Sequence, residues 1–217
     1  VSHELNQPLA AMKTYLAGAR LLLQRKRPDE ALSSFQRIDD LIDRMGAITR
    51  QLKSYARKGG EAFEPVDVRS CVSAALAMME PQLKLRVVKI TRTVPRQPVM
   101  VMADRLRLEQ VIINLLRNAL DATKDIADPQ IDLLLTLGET ATLAVRDNGH
   151  GIAEIGSVFE PFYTTKKPGE GVGLGLAISS GIVNDLGGRL TAHNAEAGGA
   201  VFEIQLPILG KETKAAE

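Results

Sequence analysis

Two helical repeats at the start of the chain constrain its fold more than any other feature. Apolar residues recur at gaps of four and three, the spacing of a coiled-coil seam, and in the first repeat the two gaps alternate strictly. The first repeat consists of Leu5, Leu9, Met12, Leu16, Ala19 and Leu23. The second consists of Phe35, Ile38, Ile42, Met45, Ile48, Leu52 and Tyr55. Between them, KRPDE places Pro28 where a first helical turn tolerates proline, so the sequence predicts an antiparallel helical hairpin.

A single hairpin would leave much of this apolar seam in contact with water. We therefore expect two chains to form a homodimer whose hairpins combine into a four-helix bundle. The alternative is that the hairpin packs against the rest of its own chain.

The pattern changes after RKGGEAFEP, where paired glycines end the second helix. Short strands and helices then alternate, which predicts an α/β sandwich with one sheet covered by helices on one face. In this interpretation Asp104 caps a helix that reaches about Lys124, a long loop runs from about His150 to Val172, and the next helix starts at the glycines after it. The expected division is a helical domain 1–58, a linker 59–65, a second domain 66–210 and a tail 211–217.

Composition excludes several classes of function. Aromatic residues are 4% and tryptophan is absent from the sequence, so we expect no base-stacking platform. The formal net charge of +1 argues neither for nor against nucleic acid, and we expect no nucleic-acid partner. The single cysteine, Cys71, excludes an internal disulfide and is predicted to be a buried helical thiol. No apolar run reaches the roughly 18 residues of a membrane span. We interpret the chain as a cytoplasmic module of a longer protein.

His3 lies on the outer face of the first predicted helix. At about 100° per residue it points roughly 160° away from the seam, with Glu4 beside it and Gln7 one turn further on. Pro8 removes a backbone hydrogen bond and is expected to bend the helix there. His3 is either an ordinary surface histidine or, with Glu4 and the expected bend beside it, a functional residue.

Asn114 and Asn118 lie four residues apart in the apolar helical segment QVIINLLRNALDAT. Two carboxamides on such a face need polar partners. Those partners are either caps and loops of the protein itself, or phosphate oxygens and a magnesium ion, for which an amide oxygen is a suitable ligand.

Glycines carry the two remaining motifs. In RDNGHGI, Asp147 ends a strand and is followed by Gly149 and Gly151, which is either an ordinary turn or a purine site. In GEGVGLGLAISS, four glycines precede an apolar helix, which is either a flexible loop or a phosphate site at a helix N-terminus.

In this order the motifs resemble the sensor histidine kinases of two-component signalling. HELNQP is similar to the phosphoacceptor box, NLLRNALDA to the asparagine box, DNGHGI and GVGLGL to the glycine boxes, and FEPFYTTK to the phenylalanine box. HELNQPLAA and PFYTTKKPGEGVGLGLAIS resemble most the nitrogen-regulation and C4-dicarboxylate sensor kinases. The resemblance covers almost the whole chain. It implies an α+β protein, with a dimeric hairpin domain followed by a Bergerat-type ATP-binding domain.

The resemblance also implies roles for individual residues. His3 would accept the phosphoryl group of ATP, Glu4 would take a proton from its ring, and a response-regulator aspartate would receive the phosphoryl group. Gln7 and Lys166 complete the implied catalytic set. The implied nucleotide site, with Asn118 also holding Mg²⁺, is Asn114, Asn118, Asp147, Gly149, Gly151, Thr164, Thr165, Lys166, Gly171, Gly173, Leu174 and Gly175. The full-length protein would reach the bacterial inner membrane through an N-terminal sensor region outside this chain.

Two other functions compete with a kinase. Chaperones and topoisomerases with a related ATP-binding domain resemble one another in carrying glutamate where this chain has Asn114, and an amide cannot activate water as a base. A scaffold that only dimerises and docks partners would not need His3, Asn118 and the glycine boxes together.

The chain departs from the family at two positions. Relatives often carry Thr or Asn where this chain has Gln7, which puts phosphatase activity in doubt. Relatives often carry Thr where this chain has Ala200. Phe159 and Phe162 are expected to anchor the base of a mobile lid formed by the loop from about His150 to Val172. Lys167 is expected to be solvated.

Overall fold

The computed structural model describes residues 2–39, 41–42, 63–166 and 173–210. The described residues up to Ile42, together with Lys166, belong to one compact unit, and the remaining described residues belong to a second. None of the helices in these ranges has the length and apolar content of a membrane span.

The first unit contains the predicted helical hairpin. Helix α1 is Ser2–Gln24 and continues through Pro8 without interruption, while helix α2 covers 28–39, with 41–42 also helical. The Arg37 guanidinium lies 5.6 Å from the centre of the Tyr15 ring and donates a hydrogen bond of 3.3 Å to its hydroxyl. Ala19 and Ala31 are buried. The hairpin prediction is confirmed as far as residue 42.

In the described residues, the second unit alternates strands with three helices. Strands β1 (Glu64–Asp67), β2 (Lys89–Thr93) and β3 (Met100–Ala103) accompany helices α3 (Val68–Leu85) and α4 (Arg105–Ala122). Strands β4 (Gln130–Leu137) and β5 (Thr140–Asp147) form a hairpin. A 3-10 turn (Ile155–Ser157), helix α5 (Gly175–Asp185) and strands β6 (Arg189–Asn194) and β7 (Ala200–Pro207) complete the unit.

Five strands form the main sheet, in the order β2-β4-β5-β7-β6, with only β2 and β4 parallel. Alternate residues of β4, such as Ile131, Leu133 and Leu135, are buried. Helices α4 and α5 contact this sheet, and α3 packs against α4. The predicted order of strands and helices is confirmed, and so is the N-cap at Asp104, whose side chain accepts from the Arg107 N–H.

The prediction of one sheet is wrong, because β1 and β3 pair with each other in a separate two-stranded sheet. Each of these four-residue strands leads directly into a helix, and Asp67 both ends β1 and caps α3. β1 begins at Glu64, inside the predicted linker. Helix α5 begins at Gly175 rather than at Gly173.

Cys71 is fully buried in α3, as predicted. Burial raises the pKa of its thiol to about 11. The thiol therefore stays protonated at neutral pH and is a poor nucleophile.

Helix α3 ends with a valine in a conformation that suits glycine. The Val87 N–H bonds to the Lys84 carbonyl and the Val88 N–H to the Leu83 carbonyl, the two bonds of a Schellman motif. Val87 occupies its left-handed position with φ 52°, and its side chain is 83% exposed. It therefore carries backbone strain with little burial in return.

Val87→Gly should raise the free energy of unfolding by about 0.5–1 kcal/mol. The left-handed conformation costs a non-glycine residue roughly 1–2 kcal/mol, and the larger unfolded-state entropy of glycine offsets part of the gain. Urea unfolding would measure the difference. Val88→Gly is the matched control and should destabilise, because Val88 packs against the core. A less stable Val87→Gly variant would contradict the strain at this turn.

Candidate active site

The predicted purine-binding residue, Asp147, ends β5 in the interior of the protein. Its side chain is 2% exposed. Oδ1 accepts hydrogen bonds from the Gly149 N–H at 2.9 Å and the Ala200 N–H at 3.2 Å. Oδ2 makes no hydrogen bond with any residue that the structure describes. Burial raises the pKa of this carboxyl, and the two N–H groups offset part of the rise.

Glycines surround this carboxylate because the backbones approach too closely for side chains. A Cβ on Gly199 would lie 1.9 Å from the Asp147 carbonyl oxygen, and one on Gly149 would lie 2.5 Å from the Ala122 carbonyl oxygen. Gly151 has φ +75°, a value that L side chains rarely adopt. The glycines at 149 and 151 were predicted as site residues, whereas the one at 199 was missed. Its signal was the pair AGGAV between the last two strands.

Two asparagine side chains hold the loops beside Asp147, and sequence reasoning missed both. The Asn148 amide accepts from the Gln130 N–H at 2.8 Å and donates to the Asp128 carbonyl at 2.9 Å. The Asn194 amide accepts from the Ile152 N–H at 2.7 Å and donates to the Ile152 carbonyl at 2.9 Å. Asn148 lies within the RDNGHGI motif, but the sequence does not indicate that its amide bonds to residues near 128–130. Asn194 lies outside the recognised motifs and gives no sequence signal for such a role.

Helices α4 and α5 place the two predicted carboxamides. Asn114 Nδ2 donates to Ser179 Oγ at 3.0 Å, and Arg107 pairs with Asp185, so the helices run antiparallel. Asn118 follows Asn114 by one turn on the same face, toward the N-terminal end of α5. Its side chain is half-buried and makes no hydrogen bond with the described part of the chain.

The phenylalanine segment packs as predicted. The Phe159 ring meets the Phe202 ring edge-on, with centroids 6.5 Å apart, and Phe162 also packs against the core. The Phe162 N–H donates to the Gly173 carbonyl at 2.9 Å, and a Cβ on Gly173 would lie 2.5 Å from the Phe162 carbonyl carbon. The first part of the predicted lid is therefore packed against the domain.

The structure describes the remaining predicted site residues only in part. Thr164 and Thr165 are exposed, and Leu174 is buried just before α5. Gly171 and Lys167 lie outside the described residues. Lys166 is the last described residue before that gap. His3, Glu4 and Gln7 belong to α1, but their side chains lie outside the description.

Two cavities in the described part of the chain lie away from the predicted site residues. One of about 670 Å³ is lined by Arg86, Lys89, Lys124 and neighbouring residues, and one of about 720 Å³ lies between α3 and β2. No predicted site residue lines either of them.

Two protein families match the two units. The "His Kinase A (phospho-acceptor) domain" matches residues 1–61, and the "Histidine kinase-, DNA gyrase B-, and HSP90-like ATPase" family matches residues 103–210. The C4-dicarboxylate transport sensor protein DctB of Pseudomonas aeruginosa is 41% identical over 210 residues, which are 95% of this chain and 34% of that protein. DctB of Rhizobium meliloti is 39% identical over 95% of this chain and 33% of that protein. The chain belongs to the sensor histidine kinases.

This kinase core spans about a third of the curated relatives it matches. Among solved structures, the catalytic domain of histidine kinase ThkA is 28% identical, with a TM-score of 0.61, over 68% of this chain and 96% of that one. Histidine kinase AdeS of Acinetobacter baumannii shares the fold at 23% identity, with a TM-score of 0.71, over 96% and 98% of the two chains. The DctB relatives confirm the resemblance to the C4-dicarboxylate sensor subgroup.

The buried Asp147 carboxylate should make the kinase less stable as the pH rises. A carboxyl whose pKa is raised on folding favours the folded state below its unfolded pKa, and this contribution is lost as pH rises through the folded value. Asp147→Asn does not titrate there. Without nucleotide, its free energy of unfolding relative to the parent should therefore increase from about pH 4 to about pH 7.

Urea unfolding across this pH range would measure the difference. Asp125→Asn is the matched control, because it makes the same chemical change at an exposed position. If the difference in unfolding free energy between Asp147→Asn and the parent shrinks as pH rises, that result would contradict the cost of burying the Asp147 charge.

Proposed function

We propose that this core transfers the γ-phosphoryl group of ATP to His3, and that the group then passes to an aspartate of a response regulator. The observation that carries the proposal is the buried Asp147 carboxylate. Its Oδ1 is held by two backbone N–H groups, and its Oδ2 has no partner among the described residues. A buried acceptor without a partner is costly, and the exocyclic amine of adenine would satisfy it.

Asn118 is the proposed ligand of Mg²⁺. Its half-buried amide makes no hydrogen bond within the described structure, and it lies toward the start of α5. There Gly173 lies against the backbone of Phe162 and Gly175 lies against the Asn114 side chain. An amide oxygen is a hard ligand of the kind Mg²⁺ accepts, with phosphate oxygens and water completing the shell. When bound, Mg²⁺ would offset the charge of the triphosphate.

Transfer to His3 forms an N–P bond and breaks the bond between the γ-phosphorus and the bridging oxygen, so that ADP leaves. The attacking ring nitrogen must be unprotonated, and Glu4 would accept the proton from the other nitrogen. Lys166, with Thr164 and Thr165 before it, would offset charge on the γ-phosphoryl oxygens. Gln7 would position water if the kinase also dephosphorylates its regulator.

Direct ATP hydrolysis is the less favoured function. Related ATPases carry glutamate at the position of Asn114, and a carboxylate there activates water. The Asn114 amide cannot act as that base, and its Nδ2 already donates to Ser179.

A homodimer is the proposed assembly. Several residues of the predicted seam remain exposed in the single hairpin, including Leu9 at 44%, Leu16 at 56% and Leu23 at 50%. A second hairpin would cover this seam and remove apolar area from water. Analytical ultracentrifugation measures the oligomeric state directly, and a chain that stays monomeric at micromolar concentration would contradict the proposed homodimer.

The partner and the location of the full-length protein are also proposals. The solved complex of ThkA contains its response regulator TrrA, and that kinase shares the fold of this chain at 23% identity. DctB is named as a C4-dicarboxylate transport sensor. We place the sensor region and any membrane anchor of the full-length protein outside this chain, with the bacterial inner membrane as its site.

His3→Gln should bind ATP but incorporate no phosphate, because the substituted amide cannot act as the nucleophile. Radiolabel from γ-labelled ATP, combined with a nucleotide titration, would measure both properties. His193→Gln changes an exposed histidine and should label like the parent. Label that persists in His3→Gln, or that resists acid in the parent, would contradict the assignment.

A further inference from the structure

Asn114 sits in a small socket on α5. Its Nδ2 donates to Ser179 Oγ at 3.0 Å, and its amide lies against Gly175, where an added Cβ would meet Asn114 Oδ1 at 2.5 Å. Gly175 and Ser179 are four residues apart, so they present one face of the helix. The hydroxyl and the bare Cα thus form two walls around one amide.

The position of the Asn114 amide depends on the Ser179 hydroxyl and on the absence of a side chain at Gly175. Ser179 is 2% exposed, one of the few buried polar residues in the described chain. Loss of its hydroxyl would leave the Asn114 amide without its only hydrogen bond among the described residues. A methyl group at position 175 would push the amide away from Ser179.

The contact joins the two helices that flank the proposed phosphate site. Arg107 and Asp185 pair at the far end of the antiparallel α4–α5 pair, and Asn114 meets Ser179 nearer the start of α5. Asn118 lies one turn beyond Asn114 in that direction. Any slip between the helices at Ser179 would therefore shift Asn118 relative to the N–H groups at the start of α5.

We propose that Ser179 is a positioning residue that acts through Asn114, and this inference rests on the proposed function. With Gly175 it fixes the Asn114 amide and thereby the register between α4 and the start of α5. Asn118 and the first N–H groups of α5 then face the same triphosphate. Asn114 contributes to nucleotide binding by fixing this register between the helices rather than as a metal ligand.

The test is a double-substitution cycle on MgATP affinity, measured by calorimetry on the full chain. Ser179→Ala should weaken affinity about tenfold, whereas Ser179→Thr, which keeps the hydroxyl, should stay within about twofold of the parent. In an Asn114→Ala background, Ser179→Ala should change the affinity by less than about twofold. Two effects that multiply instead would overturn the inference, because Ser179 would then act independently of Asn114.

Neighbouring residues provide matched controls. Gly175→Ala should weaken MgATP binding like Ser179→Ala, whereas Gly181→Ala, in the same helix with open space at its Cβ, should not. Ser180→Ala should also bind like the parent. Equal MgATP affinity of Gly175→Ala and Gly181→Ala would overturn the inference that this socket positions Asn114, even if Ser179→Ala failed to fold.

These results separate the inference from the proposed function. If the parent chain binds ATP and labels His3, but Ser179→Ala binds equally well, only the positioning role fails. If the parent chain binds no ATP, the proposed function fails as well.

Discussion

The carboxylate of Asp147 is the interaction on which the rest of the proposed nucleotide site depends. A buried charge is tolerated only when hydrogen bonds compensate it, and here the N–H groups of Gly149 and Ala200 hold one oxygen. Those donors come from a loop and a strand that adjoin the end of β5. The compensation therefore requires close backbone contacts, and Gly199 permits one of them because any side chain there would collide with the Asp147 carbonyl. The second oxygen remains for a ligand.

Side-chain amides extend this arrangement to the surrounding elements. Asn148 ties the end of β5 to the loop before β4, and Asn194 ties the end of β6 to the backbone of Ile152. Asn114 joins α4 to α5 through a hydrogen bond to the Ser179 side chain. Asn148 and Asn194 each use both the donor and the acceptor of the amide, so they hold irregular backbone that no sheet ladder satisfies. Asn118 differs from these three because no described residue satisfies its amide, which is why it is the proposed metal ligand.

Much of the fold could be predicted from the sequence because its signals are local. The hairpin repeats, the Asp104 cap and the alternation in β4 and β5 each depend on a few neighbouring residues. The separate β1–β3 sheet was missed because pairing between strands about 36 residues apart has no periodic signature. Ser179 and Asn194 were missed for a similar reason, since their partners lie far away in the chain. The structure gives the positions and contacts of Asp147, Asn114 and Asn118. Their roles at a nucleotide, like those of His3, Glu4 and Gln7, stay predictions.

The most direct measurement of the central claim is a calorimetric titration of the chain with MgATP and with MgGTP near neutral pH. Adenine presents an amine where guanine presents a carbonyl oxygen. The free Asp147 oxygen would accept from the first and repel the second. We predict that MgATP binds at least about tenfold more tightly than MgGTP. Equal affinity for the two nucleotides would contradict the assignment of Asp147 as the adenine-recognising group.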